Sequence, residues 1–172
     1  SILVTMSAHT GISMLPIVWY GNENQKQKYL TKLASGEWMG SYALTEPGAG
    51  SDALSGKTTA TLNEKGTHYI LNGQKIFVTN GAWCDVAVTF ANVDDKYTAF
   101  ILDKDCDGWV IGEEEKKLGI KGSSTVTFFF EDCMVPIENV LGNVGEGGPI
   151  AFNVLYVGRY KLGVTTGGGA KY

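Results

Sequence analysis

The chain has 172 residues, a formal net charge of −4 and a pI near 5.2, so no basic stripe exists to neutralise phosphates, and nucleic acid is excluded as the main partner. Its 44% hydrophobic and 19% charged content suits a globular chain that buries one good core, or one domain plus parts of its neighbours. The 23 glycines punctuate turns and form no repeat.

The sequence begins at Ser1, inside the apolar run 2–4, and stops at Tyr172 soon after a helical-looking stretch, so it reads as a piece of a longer protein. No run approaches the roughly 18 continuous apolar residues that span a bilayer, and no basic start with a small-residue cleavage site marks a signal peptide. Residues 1 to about 38 read as helical. Asn22 can cap a helix that starts at Glu23, with Gln25 placed to return a capping-box bond and Gly36 to stop it. Tyr29, Leu30 and Leu33 form its apolar stripe, and Pro16 is expected to break or open the helix before it.

From Met39 the texture turns to β. Strands are expected over 40–44, 57–62, 68–71, 75–79, 85–91, 98–102, 109–112 and 125–131, separated by turn residues at 63–66, 72–73, 94–96 and 105–108. Asn72-Gly73 is the strongest hairpin signal, because both residues tolerate the positive φ of a type I′ turn. The fold class expected is mainly β: a closed or nearly closed antiparallel β-barrel, flanked by N-terminal helices and one C-terminal helix. After 145–148 helix returns, with Pro149 near its start and Phe152, Leu155, Tyr156, Arg159 and Leu162 on a helical period. The segments expected are thus 1–38, 39–144 and 145–172.

Cys84, Cys106 and Cys133 are odd in number and lack any CxxC pairing, which points to free thiols in a reducing compartment. His9 and His68 have no ligand spacing to them and read as packing or surface residues, so no metal site is expected. The acids of the run 113–117 read as a solvated strand end or loop, and Glu46 as structural.

Two segments carry the chemistry. The first is Tyr42-Ala43-Leu44-Thr45-Glu46-Pro47-Gly48-Ala49-Gly50-Ser51-Asp52, a strand running into a Pro/Gly turn that ends in a hydroxyl and an acid. The second, Lys75-Ile76-Phe77-Val78-Thr79-Asn80-Gly81, is a strand whose alternation would set Phe77 and Thr79 on one face. Backbone donors, hydroxyls and a ring gathered in this way suit a flat, neutral, hydrogen-bonding heterocycle with a phosphate tail. On the residues alone, a surface turn and a core aromatic beside a hydrogen-bonded Thr remain open alternatives. The segment 48–53 also matches G-x-G-x-x-A, but a dinucleotide fingerprint needs a helix opening at the glycines, and Thr58, Thr59 and Thr61 read as strand.

This pair of segments resembles the flavin-binding segments of the acyl-CoA dehydrogenase family. Further similar stretches are Tyr20-Gly21-Asn22-Glu23-Asn24-Gln25-Lys26, Lys117-Leu118-Gly119-Ile120-Lys121-Gly122-Ser123, Phe130-Glu131-Asp132-Cys133-Met134-Val135-Pro136 and Asn139-Val140-Leu141-Gly142. The resemblance covers nearly the whole chain, and implies the end of a helical N-terminal domain, a β middle domain and the opening helix of a C-terminal domain, with a lean toward long- and very-long-chain members. It implies FAD as cofactor, with Tyr42, Leu44 and Thr45 hydrogen-bonding the pyrimidine edge and Gly50 at the pyrophosphate. Ser51 would serve both the cofactor and the thioester arm of the substrate. Phe77 stands where tryptophan is usual, packing on the flavin, with Val78 beside it and Thr79 near the flavin N5. Arg159 would shape the substrate site.

The same resemblance implies oxidation of acyl-CoA to trans-2-enoyl-CoA, electron-transfer flavoprotein as partner, and a homo-oligomeric parent, dimer or tetramer. The compartment implied is cytoplasm in a bacterium or mitochondrial matrix in a eukaryote. A minority of the family carry the catalytic base directly before the arginine matching Arg159; here that position is Gly158, so the chain is expected to lack its catalytic base and be inactive alone. Two alternatives stay open: an acyl-CoA oxidase or flavin monooxygenase of the same superfold, and a non-enzymatic β-barrel interaction module.

Overall fold

The structure is a computed structural model that describes residues 2–171; Ser1 and Tyr172, the ends of the outer two segments, lie outside the described residues. Helix α1 (Ile2–Tyr20) leads to α2 (residues 23–35), then to eight strands, and finally to α3 (Gly147–Gly169). The strands are β1 (Gly40–Ala43), β2 (Thr59–Leu62), β3 (His68–Thr79), β4 (Val86–Val93), β5 (Lys96–Asp103), β6 (Trp109–Ile111), β7 (Thr125–Pro136) and β8 (Val140–Leu141). The mainly β class with helices at both ends is therefore as expected.

Helix α2 starts and stops as its sequence dictates. Asn22 accepts from the Gln25 N–H at 2.9 Å while the Gln25 side chain accepts from the Asn22 N–H at 3.0 Å, and Gly36 ends the helix at φ 77°. Tyr29 and Leu33 are fully buried and Leu30 half-buried, as the stripe required. Pro16 does not break α1. A π-helical turn over Ala8–Ser13 precedes it, and such a widened turn absorbs the hydrogen bond that proline cannot make. By length and composition α1 could cross a membrane, but here its Thr5, His9, Ser13 and Ile17 are buried against the rest of the chain.

The strands form one sheet in the order β6-β7-β3-β2-β4-β5-β8, with β1 added beside β4. Among the described residues β6 and β8 do not pair, so the sheet is not closed. Two pairings, β1 with β4 and β2 with β4, are parallel rather than antiparallel. The hairpin expected at Asn72-Gly73 is absent: β3 runs straight through as a 12-residue strand, with a register shift against β7 between Leu71 and Gly73. Asn72 is tied to the facing strand, exchanging bonds of 3.0 and 2.9 Å with Asp132. Gly73 sits at φ 146°, and a Cβ there would lie 2.8 Å from the Thr58 Cα, so the glycine serves a bulge in close contact with a neighbour instead of a turn. The positive-φ hairpin falls at Asp94 and Asp95, φ 47° and 62°, where a two-residue loop joins the paired ends Val93 and Lys96.

Strand β4 is buried on both faces, and its alternation divides the core. Val86, Val88 and Phe90 face a cluster with Ile17, Tyr29, Leu33, Tyr42 and Ile150; Ala87 and Ala91 face a second with Leu71, Val78, Phe100, Phe128 and Val135. Each fully buried side chain of this size contributes about 1.5–3 kcal/mol. Helix α3 enters the first cluster through Ile150, Ala151 and Val154, one turn ahead of the stripe expected, so Tyr156 and Leu162 stay exposed. The three cysteines are free and buried, and burial pushes their thiols up, to about 11 for Cys84 and about 12 for Cys106 and Cys133, which removes them as nucleophiles. Among the described residues no cluster could hold a metal.

Candidate functional site

Strand β1 positions the first motif. It pairs only with β4, through Gly40 to Ala43 against Val86 to Thr89. Its opposite edge meets β3 at two points: the Asn80 amide donates to the Gly40 carbonyl at 3.2 Å, and the Ile76 N–H donates to the Thr45 carbonyl at 2.8 Å. No ladder joins the two strands between those bonds among the described residues, so the stretch Tyr42 to Leu44 presents a sheet edge with backbone donors and acceptors to spare.

After Thr45 the chain makes a tight turn at Pro47-Gly48, closed by Glu46 N–H to Ala49 O at 3.1 Å and Ala49 N–H to Glu46 O at 3.0 Å. Glu46 is buried and structural, as expected. Its carboxylate accepts from the Lys57 and Thr58 N–H groups and from the Lys75 ammonium, and Gly56 keeps room for it, since a Cβ there would sit 2.8 Å from Oε1. Lys75, in the second motif, is fully buried with Glu46 as its hydrogen-bond partner. Burial alone would raise the Glu46 carboxyl, but Lys75 and the Thr58 and Lys57 donors outweigh it and hold the carboxyl below its ordinary value. Burial also pushes the Lys75 ammonium down, against the pull of Glu46.

Beyond this anchor Gly48, Gly50 and Ser51 are exposed, and a Cβ at either glycine would meet nothing within 4 Å. What the glycines keep clear is approach to the backbone from outside. In the second motif the expected alternation is interrupted: Phe77 has φ 58°, the register against β7 shifts between Lys75 and Val78, and the Phe77 ring is 62% exposed. Positive φ at a bulky residue is strained backbone, which the surrounding structure must over-determine. Val78 is buried in the second cluster and Thr79 is half-buried.

Thr79 also lines a mostly apolar cavity of about 470 Å³ between the two outer helices, with Val4, Ala8 and Ile12 on α1 and Gly158 and Leu162 on α3. Gly158 faces α1, where a Cβ would meet Ile12 Cγ2 at 3.6 Å. A wider hollow of about 800 Å³, beside Trp83, is lined largely by charged residues of the 114–121 loop and includes neither motif. That loop is not wholly solvated, because Glu114 accepts from the Thr125 N–H and Lys117 donates to Thr125 Oγ1 at 2.7 Å.

Along the seam between β1 and β3 the structure brings Thr45 against Ile76, next to Phe77, while Leu44 packs in the first cluster, Val78 in the second, and Thr79 on the cavity between the outer helices. Tyr42 contributes backbone only: its ring packs edge-on against Phe90 and its hydroxyl points at the Ala151 carbonyl, 3.4 Å away. Gly50 and Ser51 stand out on the turn, and Arg159 lies exposed over the Tyr156 ring at 5.7 Å, outside the cavity lining. Nothing in the spacing of the two motifs marks Lys75 or Asn80 as functional. A lysine within a β-run of hydrophobic neighbours, where a polar side chain must be paired if buried, was the available signal. His9, expected as a packing or surface residue, is a buried joint: its Nδ1 accepts from the Gly40 N–H at 2.9 Å, and its Nε2 lies 3.0 Å from the Leu33 carbonyl.

Comparison with known proteins shows the family. The family model for the acyl-CoA dehydrogenase middle domain matches residues 41–133, and that for the N-terminal domain matches 1–37. A probable acyl-CoA dehydrogenase of Bacillus subtilis is 57% identical over 172 residues, covering 99% of this chain and 29% of the relative. A short-chain-specific acyl-CoA dehydrogenase of Clostridium acetobutylicum is 47% identical over 164 residues, covering 92% of this chain and 43% of the relative. The crystal structure of an acyl-CoA dehydrogenase complexed with FAD from Bacillus anthracis superposes with a TM-score of 0.92 at 57% identity, covering 94% of this chain and 28% of that one. The chain thus spans less than half the length of these relatives, and it belongs to the acyl-CoA dehydrogenase family.

Proposed function

We propose that this chain is the part of an FAD-dependent acyl-CoA dehydrogenase that holds the flavin and one wall of the acyl pocket. The observation that carries the reading is the seam itself. A sheet edge without a strand partner, at Tyr42 to Leu44, runs on into Thr45, whose carbonyl is bonded to the strand that carries the exposed Phe77 and Thr79. Thr45 and Ile76 are bonded neighbours, and three more residues, with the irregularity at Phe77 among them, carry the chain at most about 10 Å to Thr79. That span suits a planar tricyclic ligand with hydrogen-bonding edges. The residues present fit FAD, because donors, acceptors and a ring face are all available and the glycine turn leaves its backbone open.

In this reading the backbone of Tyr42 and Leu44, with Thr45, binds the pyrimidine edge, and Phe77 packs on the ring system. Fixed donors there stabilise negative charge developing on the ligand, at no reorganisation cost when the reaction occurs. Gly50 and Ser51 take the pyrophosphate and the thioester arm, and Arg159 borders the substrate site. FAD, when bound, supplies the acceptor for the hydride leaving the β-carbon as an acyl-CoA becomes trans-2-enoyl-CoA. The α-proton needs a general base, and no acid lines the cavity among the described residues, so these residues bind and orient while the base comes from elsewhere in the intact enzyme. The apolar cavity between α1 and α3 takes the acyl chain, and residues 1–38, 39–144 and 145–172 act as the three domain pieces described above. Electrons then pass to an electron-transfer flavoprotein, and the intact protein is a homo-oligomer.

The test is optical. The intact protein should purify yellow, bleach with an acyl-CoA, and recover colour with an electron-transfer flavoprotein rather than with air. Rapid recovery in air would turn the reading into an acyl-CoA oxidase, and a colourless protein would defeat the flavin reading altogether.

A further inference from the structure

Asn80 ends the second motif and is fully buried, at φ 66°. Its backbone is fixed by its N–H donating to the Ser124 carbonyl at 3.1 Å. Its side-chain amide reaches across two seams at once, donating to the Thr5 carbonyl of α1 at 2.9 Å and to the Gly40 carbonyl of β1 at 3.2 Å. The Gly40 N–H in turn donates to His9 of α1, so Asn80, Gly40 and His9 join strand end, sheet edge and helix through the two sides of one residue. These two acceptors are backbone carbonyls in a buried region, where an unmade bond costs about 1–3 kcal/mol per group. The amide nitrogen also lies 3.7 Å from the Met39 sulfur, and the Oδ1 atom is buried without a partner, so the orientation of the amide is set from its donor side.

The position of this joint matters. Thr79, directly before Asn80, lines the apolar cavity from the sheet, while Val4 and Ala8, on either side of Thr5, line it from the helix. The Asn80 amide is thus the tie between the two walls of one cavity. Resting on the function proposed above, we infer that Asn80 is a positioning residue: it fixes the distance between Thr79 and the α1 wall, and so sets both the approach of the reacting carbons and the width available to the acyl chain.

Asn80→Gly tests this in the intact protein, because glycine keeps the positive φ free of strain and deletes the side-chain bonds to Thr5 and Gly40 together with the weaker Met39 sulfur contact. Asn80→Asp is the second variant; it keeps the outline and the backbone preference but sets an oxygen where the donor was. In both, kcat for butanoyl-CoA and hexadecanoyl-CoA should fall, by up to about 100-fold for a displacement near 1 Å. Flavin absorbance should be retained, and the ratio of kcat/KM between the two thioesters should shift by about tenfold. Hydrogen exchange should rise in the first turns of α1 and stay unchanged in α2. An unchanged ratio with unchanged exchange in α1 would overturn the inference, and loss of fold in both variants would assign Asn80 to folding alone and overturn it equally. A wild-type protein that is colourless or inert toward both thioesters would fail at the earlier step and sink the parent reading, before any variant is compared.

Discussion

The Lys75 ammonium meets the Glu46 carboxylate at 2.5 Å with both side chains withdrawn from water, so the two motifs are locked to one another by charge. The lock is asymmetric. Glu46 keeps the Lys57 and Thr58 N–H donors whatever happens to lysine, whereas Lys75 has no second hydrogen-bond partner among the described residues. Glu46→Gln should therefore destabilise by about 3–5 kcal/mol, the range for stripping one partner from a buried pair. Lys75→Met should cost less, about 1–3 kcal/mol, and the double variant should recover most of the Glu46→Gln loss. Denaturant unfolding of the four proteins measures this cycle, and equal losses in the two single variants would count against the asymmetry.

The same pair predicts a pH dependence. Burial alone would raise the carboxyls of Glu46, Asp85 and Asp103, yet Lys75, Lys104 and Lys28 respectively hold all three below their ordinary values. A group whose folded value is depressed contributes stability that is complete above its unfolded value and is lost as pH falls through the folded one. Unfolded values are about 3.9 for Asp and about 4.3 for Glu. The unfolding midpoint should hold steady down to about pH 5 and decline below it, and the double variant at Glu46 and Lys75 should show a shallower decline. A midpoint indifferent to acid would contradict the charged state of these groups in the fold.

Legibility in the sequence followed how local each cause was. The capping box of Asn22 and Gln25 and the Gly36 stop were readable because their bonds lie within a few residues. The failures share a different origin. Asn72-Gly73 has hairpin chemistry, but its partner Asp132 is 60 residues away and turns the pair into a bulge. Pro16 is absorbed by a widened turn that packs against β1 and α3, which are distant in sequence. At the seam, Thr45 and Thr79 were readable as motif residues, whereas Lys75 and Asn80 owe their places to contacts with Glu46 and Thr5, at separations of 29 and 75 residues, which spacing alone does not encode. The period of two likewise could not show the bulge at Phe77, since its φ of 58° depends on register against β7.

Phe77 offers a separation of fold from function. Its ring is 62% exposed, so little packing is lost on truncation, and its left-handed backbone costs about 1–2 kcal/mol for a residue with a Cβ. Glycine relieves that cost but surrenders about 0.5–1 kcal/mol of unfolded-chain entropy. Phe77→Gly should thus leave stability unchanged or raise it by up to about 1.5 kcal/mol, while removal of a stacking partner weakens flavin retention several-fold. Thermal unfolding beside flavin titration of the stripped protein would show this. A large stability loss with unaltered flavin affinity would place the ring in the fold instead of the site.

Thr79→Val removes one hydroxyl and little else. Valine keeps the β-branch that suits β3 and nearly the same volume, so the half-buried position should stay filled and the strand intact. The Thr79 hydroxyl makes no hydrogen bond within the described residues, so its loss costs the free protein nothing and falls entirely on a ligand that it contacts. A bond of ordinary strength contributes about 1 kcal/mol, so flavin affinity or its rate of reduction by acyl-CoA should fall about five- to tenfold. Titration of the stripped protein with FAD and stopped-flow bleaching report the two quantities separately. Wild-type values for both would remove Thr79 from the flavin edge of the seam and leave it as lining for the apolar cavity alone.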